Sequence, residues 1–267
     1  MVVEKAYHDL GFLDSKEART LRILSEYLEP HARFQRYRIK DTVVFFGSAR
    51  AISEEMAARR LRDAEAVSET AAVAAARKDL EFSRYYEDAR TLARRMTEWS
   101  KGLPVPNRRF IVCSGGGPGI MEAANRGASE AAGISIGLGI SLPSEPAHNA
   151  YITRELAFEF HYFFMRKFWF AYLAKALVVF PGGFGTLDEL FELLTLVQTR
   201  KLGKRMPIVL FGREYWNEVV RFDALVRWGT ITEEDLGLFR VADSTDEAFE
   251  HLKAELARLY LEPENGL

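Results

Sequence analysis

The sequence predicts an α/β fold: a Rossmann-like, doubly wound parallel sheet of about six or seven strands with helices on both faces. Three observations lead there. Short apolar runs rich in Val, Ile or Phe recur between glycine or proline breaks, at Thr42–Phe46, Phe110–Cys113, Ile134–Ile140, Ala176–Phe180, Pro207–Phe211 and Phe239–Ala242. Helical patterns separate them, and this alternation is that of a parallel sheet buried on both sides. Two glycine-rich turns each stand directly between one of these strands and a helix.

The strand runs are continuous rather than alternating, as a strand covered on both faces requires. The segment Leu156–Phe160 offers a seventh strand. Ile120–Ala132 and Leu187–Arg200 follow the glycine turns as helices, and Thr245–Tyr260 closes the chain, opened by Ser244 with Glu247 three residues on. The N-terminal residues, about 1–40, read as a helical extension, with Asp14 and Ser15 as caps before a helix over Lys16–Tyr27. Ser53–Trp99 reads as a polar, alanine-rich helical insert whose stretch Ala64–Arg77 is weakly amphipathic and expected outside the core. Repeats, heptads and low-complexity linkers are absent, so 1–267 is read as one nucleotide-binding domain.

A chain of 267 residues is long enough to bury a sizeable core, and 48% hydrophobic residues is ordinary for a globular protein. A net charge of −2 gives no field drawing it to nucleic acid. The single cysteine, Cys113, fits a reducing compartment. The first 30 residues carry acids throughout, and no run of about 18 apolar residues occurs. A cytoplasmic protein without membrane partners is expected.

The first turn is Ser114-Gly115-Gly116-Gly117-Pro118-Gly119 and the second Pro181-Gly182-Gly183-Phe184-Gly185-Thr186. Both lie where a strand's C-terminal end meets a helix N-terminus. Unpaired backbone N–H groups and the positive helix end favour an anion there, and glycine lets the backbone come close to it. Neither turn matches G-x-G-x-x-G, and no G-x-x-x-x-G-K-[ST] is present, so a single phosphate is indicated rather than a dinucleotide or a triphosphate with magnesium. Gly116, Gly117, Gly119, Gly182, Gly183, Gly185 and Thr186 are the candidate cradle, with Gly47 and Ser48 after the first strand as a third edge.

Two roles fit Glu189. It completes a T-x-x-E capping box with Thr186. Alternatively, on the same helix face as Thr186, it points at a sugar beside the phosphate. Phe158–Tyr172 holds nine aromatic residues in fifteen, too many for a solvated helix, so it is expected to be buried against the sheet and against a second subunit. Arg166 and Lys167 sit within it and need anionic partners: Glu159, Glu189 or a ligand phosphate. His148 and His161 have no metal-ligand spacing and read as loop and core residues.

The motif P-G-G-x-G-T-x-x-E over Pro181–Glu189, preceded by Met165-Arg166-Lys167 and by the glycine cluster Gly115–Gly119, resembles the LOG family. These phosphoribohydrolases are named for cytokinin activation and were long labelled "possible lysine decarboxylase". The resemblance covers about Thr42–Phe211. It implies a Rossmann-like homodimer or higher oligomer that splits a nucleoside 5′-monophosphate into free base and ribose 5-phosphate without metal or organic cofactor. By this resemblance Arg166 and Glu189 are catalytic, and Met165, Lys167, the glycine turns and Thr186 bind substrate. The insert, the N-terminal extension and the aromatic Tyr162-Phe163-Phe164 before Met165 depart from the short plant members, which leaves the base specificity open. The alternative is a protein of related fold that senses or carries a nucleotide without cleaving it. A pyridoxal phosphate decarboxylase finds no supporting pattern around Lys167 or Lys175, the two lysines near the motifs.

Overall fold

A computed structural model describes residues 3–67, 69–105, 107, 109–141 and 148–262. Seven parallel strands form one sheet: β1 (Thr42–Phe46), β2 (Ile111–Ser114), β3 (Ser135–Ile140), β4 (Ala157–Phe160), β5 (Ala174–Val179), β6 (Ile208–Phe211) and β7 (Arg240–Ala242). Their spatial order is β4-β3-β2-β1-β5-β6-β7, so the chain builds outward from β1 in one direction and then returns to build outward in the other. The switch lies between β1 and β5, and the crevice at its C-terminal end is where such sheets take ligands.

Alternate residues of each strand enter two separate cores. Val44, Phe46, Cys113, Ile136, Leu177 and Val179 face one side. Helices α2 (Arg19–Arg36), α6 (Phe163–Leu173) and α7 (Phe184–Gln198) cover that side through Phe34, Trp169, Phe170, Leu190 and Leu193. Val43, Phe45, Val112, Ala176 and Val178 face the other side, under α4 (Thr70–Lys101), α5 (Ile120–Glu130) and α10 (Thr245–Tyr260). The remaining helices are α1 (Leu10–Leu13), α3 (Glu54–Val67), α8 (Arg213–Val219) and α9 (Phe222–Arg227). Among the described residues no helix is long and apolar enough to cross a membrane.

Three expectations change. The first long helix starts at Arg19, not Lys16, and neither Asp14 nor Ser15 caps it. The Arg22 side chain instead donates to the Leu13 and Ser15 carbonyls at 2.5 and 2.6 Å, holding the preceding turn outside the helix. The helix also continues past Tyr27, through Pro30 to Arg36. The aromatic segment is split: Phe158 and Phe160 belong to β4, and α6 begins only at Phe163. The segment 53–99 is a hairpin of two helices, and its second half is core. Tyr86, Ala89, Leu92, Ala93 and Met96 of α4 are buried beneath the sheet, whereas most of Ala64–Arg77 at the tip is not.

Helices α4 and α5 touch backbone to backbone. A Cβ at Gly127 would lie 2.0 Å from the Arg90 carbonyl oxygen. Gly127→Ala must therefore push the two helices apart and is expected to cost about 1–3 kcal/mol. A denaturant titration showing an unchanged midpoint would contradict this contact.

Candidate functional site

Three turns converge at the switch point. The Ser48 N–H donates to the Pro181 carbonyl at 3.0 Å, and the Ser48 carbonyl accepts from the Ile120 N–H at 3.0 Å. One residue thus stitches the end of β1 to both glycine turns. Gly119 has φ +72°, and a Cβ there would lie 2.2 Å from the Ser48 carbonyl oxygen, so only glycine permits the junction. Gly182 is needed for a different reason. A Cβ would lie 2.2 Å from Thr186 Oγ1, because the Thr186 side chain folds back over the turn.

Helix α7 has Gly183 as its N-cap. The Leu187 N–H is bonded to the Gly183 carbonyl, which leaves the N–H groups of Phe184, Gly185 and Thr186 without intrahelical acceptors. With the helix dipole they make a positive end suited to an anion. Gly183 and Gly185 border open space. Tyr215 of α8 secures this turn from behind, donating to the Gly182 carbonyl at 2.5 Å.

The first turn is held by an amide network. Asn149 donates from its backbone to the Gly116 carbonyl at 2.8 Å. Its side chain donates to the carbonyls of Gly116 and Gly117 at 3.1 and 3.0 Å and to Asn125 Oδ1 at 3.0 Å. Ser114 Oγ donates to Asn125 Oδ1 and accepts from the Gly116 N–H. Because C=O and N–H point oppositely across a planar trans peptide, drawing these carbonyls toward Asn149 turns the Gly117 N–H away from it.

Glu189 is not the partner in a capping box. Thr186 lies three residues inside the helix that Gly183 caps, and the Glu189 carboxylate accepts from Arg166 Nη2 at 2.8 Å. Both side chains are only 13% exposed. Burial pushes the Glu189 carboxyl up to about 7, and the neighbouring Arg166 only partly offsets it. Arg166 has the Phe163 and Phe170 rings 5.4 and 5.7 Å from its guanidinium carbon. Its Nε is buried with no hydrogen-bond partner. The start of α6 that carries it is clamped by the N-terminal extension: Glu26 accepts from the N–H groups of His161 and Tyr162, and its carbonyl from Trp169 Nε1. Cys113 lies fully buried close enough to Glu189 to feel its charge, and both effects push the thiol up, so it is no nucleophile at neutral pH.

Other candidates are placed differently. Met165 is buried in the core. Lys167 Nζ sits 2.8 Å from both Asp188 and Glu192, so its charge is met by helix α7. Lys175, at the start of β5, pairs with Asp41 at the opposite end of the sheet. The ring of His148 is in contact with Glu159 at 3.1 Å. Sequence reasoning missed Glu26, Asn149 and Tyr215, which act from distant segments. Asn125 carried a signal: an amide on the apolar face of a helix needs buried partners.

A family model described as "Possible lysine decarboxylase" matches residues 121–252. No curated protein matches the chain. Among solved structures it is similar to the molybdenum cofactor binding protein of the phototrophic bacterium Rippkaea orientalis, at 16% identity over 81% of this chain and 98% of that one, with a TM-score of 0.50. It is also similar to the Moco carrier protein of Chlamydomonas reinhardtii, at 21% identity over 82% and 99%, with a TM-score of 0.49. At these identities the first likeness shows a shared fold.

Since burial raises the Glu189 pKa in the folded chain, the native state binds a proton more tightly than the unfolded one between about pH 4.5 and 7. Stability from this group is present below pH 4.5 and is lost as pH rises to about 7. The difference in unfolding free energy between Glu189→Gln and the wild type should shift in favour of the variant across that window and stay constant above it. A pH-independent difference would contradict the buried, raised carboxyl.

Proposed function

Over residues 121–252 the chain belongs to the family described as possible lysine decarboxylases, the LOG family its sequence resembles, and from that membership and the crevice geometry we propose that it hydrolyses the N-glycosidic bond of nucleoside 5′-monophosphates. The observation that carries the reading is the buried Arg166–Glu189 pair beside an anion-binding helix end. The phosphate binds to the free N–H groups of α7 and the glycine turns, which fixes the sugar for reaction. As the base departs, positive charge builds on the ribose ring. Glu189 stabilises it and takes a proton from the attacking water. A carboxyl raised to about 7 suits a base working near neutrality. Arg166 orients that carboxylate, with the Phe163 and Phe170 rings beside its guanidinium.

The decarboxylase label does not fit this chemistry. A pyridoxal phosphate enzyme needs a free lysine for the Schiff base, and Lys167 and Lys175 are both engaged by carboxylates. Binding without cleavage is the second reading. The fold is shared with a molybdenum cofactor binding protein, and an anion cradle alone serves a carrier equally well.

A homo-oligomer belongs to the same proposal. Phe163, Phe164, Phe168 and Tyr172 of α6 are 49, 52, 37 and 52% exposed, and Leu24, Tyr27 and Leu28 of α2 are exposed as well. A second copy covers this stripe. Phe164→Glu combined with Tyr172→Glu should shift the sedimentation profile toward monomer, and an unaltered profile would exclude this face.

Incubation with a panel of nucleoside monophosphates, followed by chromatography for free base, tests the activity. Release of base with ribose 5-phosphate is expected, with kcat/KM rising with pH through about 7 as Glu189 ionises. Glu189→Gln should lose about 10²–10⁴-fold while its thermal unfolding stays cooperative. Tight calorimetric binding of AMP with no product would establish the carrier reading instead.

A further inference from the structure

A second hollow opens at the other end of the sheet. It lies where β6 and β7 begin, beside the C-terminal end of α7 and the second half of α10, and its volume is about 710 Å³. Helix α7 separates it from the glycine cradle, because its 15 residues span about 22 Å between the two ends of the sheet. A hollow of this volume suits a small molecule, and Leu238, Phe239 and Leu259 give it an apolar wall.

The charge around it is one-sided. The chain as a whole carries a net charge of −2, yet Arg200, Lys204, Arg205, Arg240 and Arg258 all line the hollow, against a single carboxylate, Glu255. Glu255 is taken by Arg258 at 2.5 Å, and Arg240 is met from outside the lining by Glu247 at 3.2 Å. Lys204 donates to the carbonyls of Ala171 and Tyr172, both at 2.8 Å. Arg200 and Arg205 make no ion pair or side-chain hydrogen bond among the described residues. Arg205 is near enough to Glu255 to act on it, but that carboxylate already holds Arg258. Like charges gathered around a concave, partly apolar surface focus a positive potential. His251, which also lines the hollow, feels it: burial holds the imidazole below its ordinary value, and Arg240 pushes the same way against Glu255 and Glu247.

Arg200 is kept there at a cost to the backbone. Thr199 caps α7, and the Arg200 and Lys201 N–H groups bond the Val197 and Leu196 carbonyls, each at 3.0 Å. The residue after the cap in this arrangement is left-handed and is usually glycine; here it is Arg200, at φ +57°. A cation near a helix C-terminus is favourable, but the adjacent Lys201 supplies one without a left-handed backbone. A side chain retained at a strained position points to a role outside the fold. We propose that the hollow binds a small organic anion bearing more than one phosphate charge, with Arg200 and Arg205 as its contacts. Arginine forks match phosphate oxygens, and the apolar wall takes the organic part. The site stands apart from the crevice and holds whether or not the chain cleaves nucleotides.

Calorimetric titration with ADP tests the site, in the full chain carrying Gly185→Glu. That substitution sets a carboxylate at the open edge of the glycine cradle and so repels phosphate from the crevice, while an acid in the first turn favours α7. ADP should still bind, and adenosine should not. Arg200→Gly and Arg205→Ala should each weaken ADP by about tenfold or more. Arg200→Gly should also raise the midpoint of thermal unfolding, because glycine accepts the left-handed conformation freely, so its loss of affinity is not a loss of fold. Binding abolished by Gly185→Glu alone would assign the diphosphate to the crevice and overturn the proposal. So would full ADP affinity in the arginine variants, equal binding of adenosine, or no binding of ADP by the wild-type chain.

Discussion

The junction at Ser48 is the constraint on which the site depends. Its N–H and C=O are each given to a different glycine turn, so the ends of β1, β2 and β5 are held in register by one peptide segment. Such a junction brings three backbones within hydrogen-bond reach at a place where side chains would normally keep them apart. Gly119 makes it passable, since any Cβ there collides with the Ser48 carbonyl. The same convergence leaves Gly183 and Gly185 at the N-terminus of α7 bordering open space, and an unsatisfied helix end at a sheet's switch point favours an anion.

Around that cradle the protein places charge where it is hard to keep. Arg166 and Glu189 are both largely withdrawn from water, and a pair so placed is only weakly favourable, because desolvation offsets most of the attraction. Its value lies in the strength of local electrostatics in a dry site. A carboxylate so held responds strongly to a positive charge developing nearby. The buried Phe170 ring flanks the guanidinium, and Glu26 holds the start of the helix that carries the arginine. The N-terminal extension is thus part of the site's scaffold.

Much of the fold was legible because a doubly covered parallel strand has to be apolar on both sides. Val43-Val44-Phe45-Phe46 and Ala176-Leu177-Val178-Val179 are such runs, each leading into a glycine-containing turn. The glycine turns were legible for the same local reason. The Arg166–Glu189 contact was one of three pairings that charge accounting left open, and the third dimension chose among them. The start of α6 was obscured because aromatic residues serve a strand and a buried helix equally well; Phe160 and Phe163 look alike in sequence and lie in different elements. Glu26 and Asn149 were invisible, since their targets are 135 and 33 residues away and no periodicity links them. Lys167 read as a ligand group because it adjoins Arg166, but one step along a helix turns a side chain by about 100°, toward Asp188 and Glu192.

The spatial order of the strands has a consequence for what can vary. The segment from α6 through β5 to α7 crosses the switch, since α6 packs on β3 and β4 and β5 lies beyond β1, and it contains both members of the ion pair, only 23 residues apart. Leu173 of α6 is followed directly by Ala174 of β5, so no linker lets this part drift. The turns that follow β1 and β2 border the same crevice. The division is one of labour: a short segment holds the buried ion pair, and the strand ends frame the space in front of it. Loops of that frame can vary in length while α6, β5 and α7 keep the pair together.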